Sequence, residues 1–392
     1  RPVNKKVDFI LEAHGKEFTE WAWWDASWGY KREIEIQENS GNTLTDYSVL
    51  IHVPYDSDMQ SDFDDLRFVD SSETTELGYW IENKTDSSEA WVWVKVPSIP
   101  ASGTVSIYMY YGNPSASSES DGNDAFQYYN YDGNSTFDHE FVGGGSNVDS
   151  FITDAGSIKH VHSVSGRYEY AVMDSNLDNV LIKAKVNFDT LENIEDFSLM
   201  GHFKYVDNTD YSWIGCQAEH YTGYSNDVRW AILKVENGGG TSIIKSTNSP
   251  ALSGNTDYEL ECIIFSNNTV LFKKDGAVLL TSDASFSESS GGFGFQGGYD
   301  AGVSYHIDNA LVRKYVSPEP TYSIGDEQES KPSVILNSPP DNYNSTTQTI
   351  TFNATVTSII EIANVSLIID GVYNETNSSG ISGDYIFQKT IS

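Results

Sequence analysis

Apolar and polar residues alternate with a period of two along most of the chain. In the segment YKREIEIQ, Ile34 and Ile36 fall on one side while Glu33 and Glu35 fall on the other. Successive side chains of a β-strand point to opposite faces, so this pattern predicts a half-buried strand. Similar segments, separated by clusters of Asp, Ser, Gly and Pro, recur to the end of the sequence, and helical periodicity is scarce. The sequence therefore predicts an all-β protein.

Changes in the length of the predicted strands and in the residues that separate them divide the chain into tandem β-sandwiches. The predicted units are an N-terminal extension at 1–20, a β domain at 21–122, a second sandwich at 125–316, a linker at 317–332 and a partial sandwich at 333–392. In the last unit, the segments SVILNSPPDNYNSTTQTITFNATV and ANVSLIIDGVYNETNSSG resemble the opening strands of an immunoglobulin-like domain. The linker is rich in Pro, Glu and Ser. A complete immunoglobulin-like sandwich needs about 100 residues, more than the last unit has. Either the natural chain continues beyond these residues, or a strand from another chain completes the sheet.

The net charge of the chain limits the kinds of molecule that it can bind. The chain carries 57 acidic and 23 basic residues, for a formal net charge of -34. Binding a phosphate backbone requires Lys and Arg, so a nucleic-acid partner is excluded. No apolar run is long enough for a transmembrane helix, and the first residues lack the apolar stretch of a signal peptide. An acidic exterior of this kind suits a soluble protein in salty or calcium-rich surroundings.

Cysteines and glycosylation sequons bear on location. Cys216 and Cys262 both lie in strand-like segments, where either one disulfide or two buried thiols fit the pattern. Eight N-x-S/T sequons occur, and five of them follow residue 340. This C-terminal cluster predicts an exposed, extracellular tail. The sequon asparagines are Asn83, Asn134, Asn267, Asn344, Asn353, Asn364, Asn374 and Asn377.

The first unit resembles a known β domain. The segments WWDASWGYKREIEI and AWVWVKVPSIPASGTVSIYMYYGNPSASSESDG are similar to an uncharacterised domain that recurs in archaeal and bacterial secreted and surface proteins, over about residues 22–122. The resemblance implies a place on a surface and brings no catalytic residues. Within AWVWVKV, Trp91 and Trp93 share one face of a strand and the valines share the other. We expect one face in the core and the other partly covered.

The second unit resembles the concanavalin-like jelly rolls of lectins and glucanases, including laminin-G-like modules. The segments DGAVLLTS, GGFGFQGG and HIDNALVRKY carry this resemblance. Glucanases of this shape place E-x-D-x-x-E or E-x-D-x-E on one strand, and neither motif is present. Glu192, Glu195 and Asp196 come nearest, but we expect them before the strand FSLMGHF rather than within it. The sequence therefore predicts a protein that is not an enzyme.

A glycan-binding face in the jelly roll is the best biochemical prediction. Flat aromatic rings stack on sugars, and amides and carboxylates bond to sugar hydroxyls. Tyr221, Tyr224 and Tyr299 lie in Gly-flanked loops, where a ring has less core to fill. The full set of predicted ligand-binding residues is Tyr211, Trp213, Gln217, His220, Tyr221, Tyr224, Asn226, Asp227, Trp230 and Tyr299.

Metal binding is the one cofactor question that the sequence raises. The opening and closing strands of such a jelly roll tend to be neighbours, so Asp132, Asp138 and Asp308 could form an oxygen site for a structural calcium ion. His160 and His162 would share a strand face. Because no third ligand can be placed beside them, we interpret these histidines as ordinary surface residues.

Together these patterns predict a non-enzymatic extracellular surface protein that binds glycans or surface glycoproteins through residues 125–316. One alternative is a structural subunit of a surface filament, cell envelope or virus particle. In that case the segment KKVDFILEA is a strand donated to a neighbour, and subunits assemble by strand exchange. The other alternative is an atypical glycoside hydrolase.

Overall fold

The computed structural model confirms an all-β protein built from tandem β-sandwiches. None of the helices among the described residues is long and apolar enough to span a bilayer. The residues that the structure describes are 9–15, 23–25, 27–131, 136–148, 150–162, 166–189, 191, 194–298, 304–329, 333–339, 349–357, 362–369, 372–378 and 383–390.

The strands run in chain order through three regions. The first region contains β1 (Phe9–Gly15), β2 (Tyr30–Gln37), β3 (Leu44–Pro54), β4 (Arg67–Val69), β5 (Tyr79–Thr85), β6 (Glu89–Ile99) and β7 (Thr104–Tyr111). The second contains helix α1 (Gly122–Ala125), β8 (Tyr128–Asn130), β9 (His139–Val142), β10 (Phe151–Asp154), β11 (Ser157–Val161), β12 (Glu169–Leu177), β13 (Val180–Phe188), β14 (Ile194–Asp207), β15 (Asp210–Tyr221), a 3-10 turn (Ser225–Asp227), β16 (Val228–Val235), β17 (Ser242–Thr247), β18 (Asp257–Ile264), β19 (Thr269–Lys274), β20 (Ala277–Asp283), β21 (Gly291–Gly297) and β22 (Ser304–Lys314). The third contains β23 (Thr321–Glu329), β24 (Ser333–Ser338), β25 (Thr349–Thr357), β26 (Ile362–Ile369), β27 (Val372–Asn377) and β28 (Gly383–Thr390).

The first sandwich packs the sheet β23-β2-β7-β4 against the sheet β3-β6-β5. Its core includes Ile34 and Ile36 from β2 and the valines of β6. Strand β23 pairs antiparallel with β2 from Tyr30↔Glu329 to Gln37↔Thr321. The prediction of a linker at 317–332 is wrong for these residues, because the chain returns after the jelly roll and adds an edge strand to the first sandwich.

Alternation along β6 explains the run of tryptophans. Val92 and Val94 are fully buried in the core of the first sandwich, so the other face of the strand points outward. Trp91, on that outer face, is 37% exposed and stacks on His52. Trp93, on the same face, is 9% exposed because the jelly roll covers it. The two tryptophans therefore differ in burial although they share a face.

The jelly roll consists of two larger sheets. One has the order β10-β11-β22-β13-β18-β19-β20, with β8 added beside β22 and eight strands in all. The other has the seven-stranded order β17-β16-β15-β14-β21-β12-β9. The inner faces of both sheets form one apolar core. A disulfide between Cys216 of β15 and Cys262 of β18 links the sheets through this core, which decides between the two states that the sequence left open.

The outer face of the eight-stranded sheet packs on the first sandwich. Trp80 and Trp93 of the first sandwich join Leu181, Ile263 and Leu311 of the jelly roll in one buried cluster. Burying apolar surface contributes about 25 cal/mol per Å2, so this cluster holds the two units together.

A buried arginine reinforces the contact. The two terminal nitrogens of Arg313, on β22, each donate a hydrogen bond of 2.9 Å to the carboxylate of Glu319. The guanidinium also lies 4.7 Å from the ring centre of Trp93. A bidentate, cation–π-supported contact of this kind restricts the relative orientation of the two units.

The third sandwich packs the sheet β24-β25-β28 against the sheet β1-β26-β27. Phe352 and Phe387 from the first of these sheets meet Val365 and Leu367 from the second. Strand β1, from the predicted N-terminal extension, pairs antiparallel with β26 within the same chain. Residues from outside 333–392 therefore contribute a strand to the partial immunoglobulin-like sandwich.

Candidate functional site

The outer face of the seven-stranded sheet is the jelly-roll face that remains for a ligand. The eight-stranded sheet already packs on the first sandwich. The apolar part of the seven-stranded outer face, among the residues described, clusters only with other jelly-roll residues such as Phe141, Tyr170 and Leu233. Ligand-binding residues of this unit are therefore to be sought on and around this face.

A set of polar side chains, here named the polar row, crosses that face. On β14, β15, β16 and β21 the core positions include Phe197, Ala218, Trp230 and Phe295. Side chains of the alternate residues point to the opposite, outer face. The polar row consists of Asp196, Ser198, Gln217, Glu219, Arg229 and Gln296.

The centre of the polar row contains two amides with unused hydrogen-bonding capacity. Ser198 donates from Oγ to Gln296 Oε1 over 2.7 Å. Gln217 Oε1 and Gln296 Nε2 are buried and have no hydrogen-bond partner among the described residues. Buried polar atoms are nearly always paired with protein or with ordered water. One acceptor and one donor are therefore left for water or for a ligand hydroxyl.

One end of the polar row is ionic. Glu219 forms an ion pair with Arg229 and accepts a hydrogen bond of 3.3 Å from the Tyr224 hydroxyl. The Arg229 guanidinium lies 4.9 Å from the centre of the Tyr224 ring. Burial raises the pKa of Glu219 above its ordinary value, and Arg229 opposes that rise. A carboxyl in this setting is held in place and partly shielded from solvent.

Asp196 lies directly across from Glu219 on the neighbouring strand. Strand β14 begins at Ile194, so the expectation that Asp196 precedes the strand is wrong. Directly opposite residues of an antiparallel pair have Cβ atoms about 4.5–5.5 Å apart. The fold thus places two buried carboxyls side by side on the outer face, which the one-strand glucanase pattern could not reveal.

Tyr221 and Tyr224, here named the tyrosine rim, border the ionic end of the polar row. Tyr221 is 37% exposed, and its ring meets that of Tyr224 edge to face at 5.0 Å. The exposed Asn226 adopts a left-handed conformation with φ of +59° in the adjoining turn, where its side chain donates to Asn248 O. The rim offers a flat ring beside polar groups, which is the combination that sugar binding uses.

The other predicted ligand-binding residues are placed differently. Trp230 is fully buried in the jelly-roll core and donates to Pro250 O, so it is not on the outer face. His220 has 8% exposure and belongs to the inner-facing set of β15. Trp213 and Tyr211 are on the outer face but buried within its apolar cluster. Asp227 is exposed in the turn, and Tyr299 lies outside the described residues.

The predicted calcium site is not assembled by the residues that the structure describes. Asp138 accepts a hydrogen bond from the backbone N–H of Asp174, and Asp308 lies 3.5 Å from the Lys185 ammonium. Neither belongs to a described group of three converging His, Cys, Asp or Glu ligands. Because Asp132 lies outside the described residues, the three-residue site stays a prediction.

His160 and His162 differ from the expectation of ordinary surface residues. His160 is fully buried and His162 is 3% exposed. Burial lowers the pKa of the His160 imidazole, although the Glu169 carboxylate opposes that change. No sequence pattern indicated that Glu169 belongs beside these histidines. Its neighbours on β12 do not alternate clearly between apolar and polar residues, so the inward direction of its side chain could not be predicted.

Sequon asparagines are mostly accessible where the structure describes them. Asn83, Asn267, Asn374 and Asn377 are exposed. Asn353 and Asn364 are half-buried in the third sandwich, while Asn134 and Asn344 lie outside the described residues. Four sequons therefore have the accessibility that attached glycans need.

A cavity of about 640 Å3 lies in the first sandwich. Its walls include Glu76, Glu119, Asp121 and Asp124. Buried Arg67 forms ion pairs with Glu76 at 3.3 Å and Glu119 at 2.7 Å. Burial and the neighbouring Glu119 raise the pKa of Glu76 to about 7. Four of the residues that line the cavity are acidic, so its chemistry differs from that of the tyrosine rim.

One family model matches part of the chain. Residues 62–140 match a family model described as a domain of unknown function, DUF2341, so the chain contains an uncharacterised β domain. No curated protein matches the chain.

Several solved structures are similar to slightly less than half of the chain, at low sequence identity. A carbohydrate-binding module, CBM66, from Bacillus subtilis is 13% identical with a TM-score of 0.34, over 46% of this chain and 99% of its own. A Bacillus subtilis protein of unknown function with a galectin-like fold is 11% identical with a TM-score of 0.36, over 48% and 95%. A Bacillus licheniformis β-glucanase is 14% identical with a TM-score of 0.34, over 48% and 98%. At these values the likeness carries no argument about the ligand.

Proposed function

We propose that this protein is a non-enzymatic, extracellular surface protein that binds glycans or surface glycoproteins through the polar row and the tyrosine rim. The observation that carries the proposal is the pair of buried amides, Gln217 and Gln296, with unused hydrogen-bonding atoms on the jelly-roll face that the first sandwich does not cover. Sugar hydroxyls both donate and accept, so they or bridging waters match one free acceptor and one free donor. Tyr221, farther along the same strand as Gln217, supplies the exposed ring at the end of the polar row.

Two further features support an extracellular location. The Cys216–Cys262 disulfide is the kind of cross-link that persists in oxidising compartments. The exposed sequons include Asn374 and Asn377 in the third sandwich, where glycans would cover the surface. Both features fit a protein that works outside the cell.

A glycan array probed with the full chain tests the proposal. Tyr221→Ala removes the exposed ring of the rim and is expected to abolish binding. Trp91→Ala is the matched control, because Trp91 is also 37% exposed but lies on the first sandwich. Binding that survives Tyr221→Ala, or that disappears only with Trp91→Ala, contradicts the proposal. Repeating the array with chelator and with calcium tests whether the predicted calcium site affects binding.

The hydrolase alternative rests on the facing carboxyls of Asp196 and Glu219. Retaining glycosidases use carboxyls about 5–5.5 Å apart, and a raised pKa suits a general acid. Glu219 is only 5% exposed and is ion-paired with Arg229, which favours a structural role over proton transfer to a substrate. Release of reducing sugar by the full chain, abolished by Glu219→Gln, would instead establish hydrolysis.

A structural subunit that assembles by strand exchange is the second candidate function. It is favoured by one observation: β1, near the start of the chain, forms an edge strand of the sandwich at the other end, from Phe9↔Ile369 to Gly15↔Ile362. A strand from a second copy would make the same backbone hydrogen bonds, so exchange preserves the pairing and alters mainly the entropy of closure. Such exchange would join copies head to tail.

Cysteine pairs distinguish exchange from closure within one chain. His14 and Asn364 are directly opposite across β1 and β26. His14→Cys and Asn364→Cys are placed in separately tagged copies, which are unfolded, mixed and refolded together. A disulfide between the two copies supports exchange. Glu35→Cys and Ser106→Cys, opposite across β2 and β7, form the matched control and should not cross-link copies. Exchange is contradicted if the mixed copies do not cross-link while a single chain that carries both His14→Cys and Asn364→Cys does.

A further inference from the structure

Two histidines and a glutamate converge at one end of the jelly-roll core. His160 lies on β11 and His162 follows that strand, whereas Glu169 begins β12. These strands belong to different sheets of the sandwich. The exposed fractions of the three residues are 0%, 3% and 0%, so they meet away from solvent.

The ligating atoms are arranged like three vertices of a coordination shell. Glu169 Oε2 lies 2.9 Å from His160 Nε2 and 3.2 Å from His162 Nδ1. All three atoms lie within 4.8 Å of one another. Ligands about 2.0–2.2 Å from a tetrahedral zinc ion are roughly 3.3–3.5 Å apart, so the side chains need only small shifts to enclose one.

Among the described residues, the hydrogen bonds of this cluster do not use the ring nitrogens of His162. Neither ring nitrogen of His162 has a hydrogen-bond partner in the part of the chain that the structure describes, although Nδ1 is close to the Glu169 carboxylate. A divalent cation would accept lone pairs from these imidazoles and coordinate the buried Glu169 carboxylate, and buried charged groups are typically paired or bound to metals.

The surroundings are shaped for the two imidazoles. A Cβ on Gly298 would collide with His162 Nδ1, and one on Gly297 would collide with the Tyr305 hydroxyl and come within 2.9 Å of His160 Cε1. Tyr305 stacks on His160 with ring centres 4.8 Å apart. Glycine at both positions leaves the space that the rings occupy, and the packing holds His160 in one orientation.

We propose that His160, His162 and Glu169 form a structural site for a divalent transition-metal ion, with zinc as the best fit, that fastens the two jelly-roll sheets together. Two imidazole nitrogens and one carboxylate oxygen suit zinc, whereas calcium prefers an all-oxygen shell. The site is separate from the polar row and from Asp132, Asp138 and Asp308. It also does not depend on whether the protein binds glycans.

Metal content and spectroscopy test the site on the full chain. The chain is stripped with chelator and titrated with Zn2+ by calorimetry; one ion per chain and a rise in melting temperature are expected. Co2+ provides a second probe, because tetrahedral coordination gives intense visible absorption bands. His162→Ala should abolish the one-to-one stoichiometry and those bands. His139→Ala, which changes a half-buried histidine paired with Asp174, is the matched control and should retain both.

Two results would overturn the proposal. The first is a wild-type chain that takes up no Zn2+ and shows no tetrahedral Co2+ bands, a measurement that needs no variant to fold. The second is unchanged stoichiometry in His162→Ala with a native circular-dichroism spectrum, which would locate the ion elsewhere.

Discussion

Replacing Glu38 by Gln is expected to destabilise the first sandwich at neutral pH and to have little effect in strong acid. Glu38 follows β2 and is 1% exposed. Its carboxylate accepts hydrogen bonds from the backbone N–H groups of Ser40, Gly41 and Ser102 and from the Ser40 hydroxyl. One side chain therefore joins the turn after β2 to the turn before β7.

The expected magnitude follows from those bonds. A hydrogen bond to a charged group contributes about 1.5–3 kcal/mol, and Gln keeps one acceptor oxygen while turning an amide N–H2 toward donors. The loss should be roughly 2–4 kcal/mol, because at least one backbone N–H stays buried without a partner.

The pH dependence has a defined sign. Burial alone favours the neutral carboxyl, but the hydrogen bonds from Ser40, Ser102 and Gly41 outweigh it and lower the pKa of Glu38 from 4.5 to about 2. A depressed folded-state pKa adds stability that is complete above the unfolded-state pKa and is lost as pH falls toward the folded value. The difference between wild type and Glu38→Gln should therefore be constant at neutral pH and shrink between pH 4.5 and about 2.

Urea denaturation followed by tryptophan fluorescence measures this difference. Seven of the nine tryptophans lie between residues 21 and 93, so the signal reports mainly on the first sandwich. Glu35→Gln makes the same chemical change at an exposed position of β2 and should leave the midpoint nearly unchanged. A Glu38→Gln destabilisation that stays the same down to the acid limit would refute the reasoning, since it could not arise from the ionised carboxylate.

Three other predictions concern the same full chain. Trp93→Ala should cost about 3–5 kcal/mol because the ring is buried between sandwiches, whereas exposed Trp91→Ala should cost less than about 1 kcal/mol; equal urea midpoints would contradict this. Glu76→Gln should raise the melting temperature in calorimetry at alkaline pH and leave it unchanged in acid, because a folded-state pKa raised to about 7 makes stability fall as pH rises from 4.5. Replacing Cys216 and Cys262 by Ser should cost about 2–5 kcal/mol of unfolding free energy, and an unchanged denaturation curve would show that the bridge contributes nothing.

The predictions that the structure confirms are those that depend on the alternation of apolar and polar residues along a strand. Strand alternation is a property of adjacent residues, so Val92 and Val94 could be placed in a core without knowing what faces them. The expectation that Tyr221 lies in a Gly-flanked loop is wrong, because Tyr221 is the last residue of β15, the strand that also carries Gln217. Alternation could not separate Trp91 from Trp93, because the covering surface comes from another unit.

The linker shows why composition alone misleads. Residues 321–329 contain Glu, Asp, Gln and Gly, with few apolar side chains, as a flexible connection would. They nevertheless form an edge strand, in which Tyr322 and Ile324 are half-buried against the core. The backbone hydrogen bonds that hold this strand come from β2, which lies far away in sequence. The stabilisation from these hydrogen bonds cannot be recognised from the residues of the strand itself.

By itself, the sequence determined the all-β class and the tandem sandwiches, because these depend on period-two alternation and turn residues. Only the tertiary structure decided which jelly-roll face is covered, that β1 pairs with β26, and that Glu169 joins His160 and His162. Each of these depends on contacts between strands far apart in the chain. Such contacts follow from sheet order and packing, which short-range alternation does not encode.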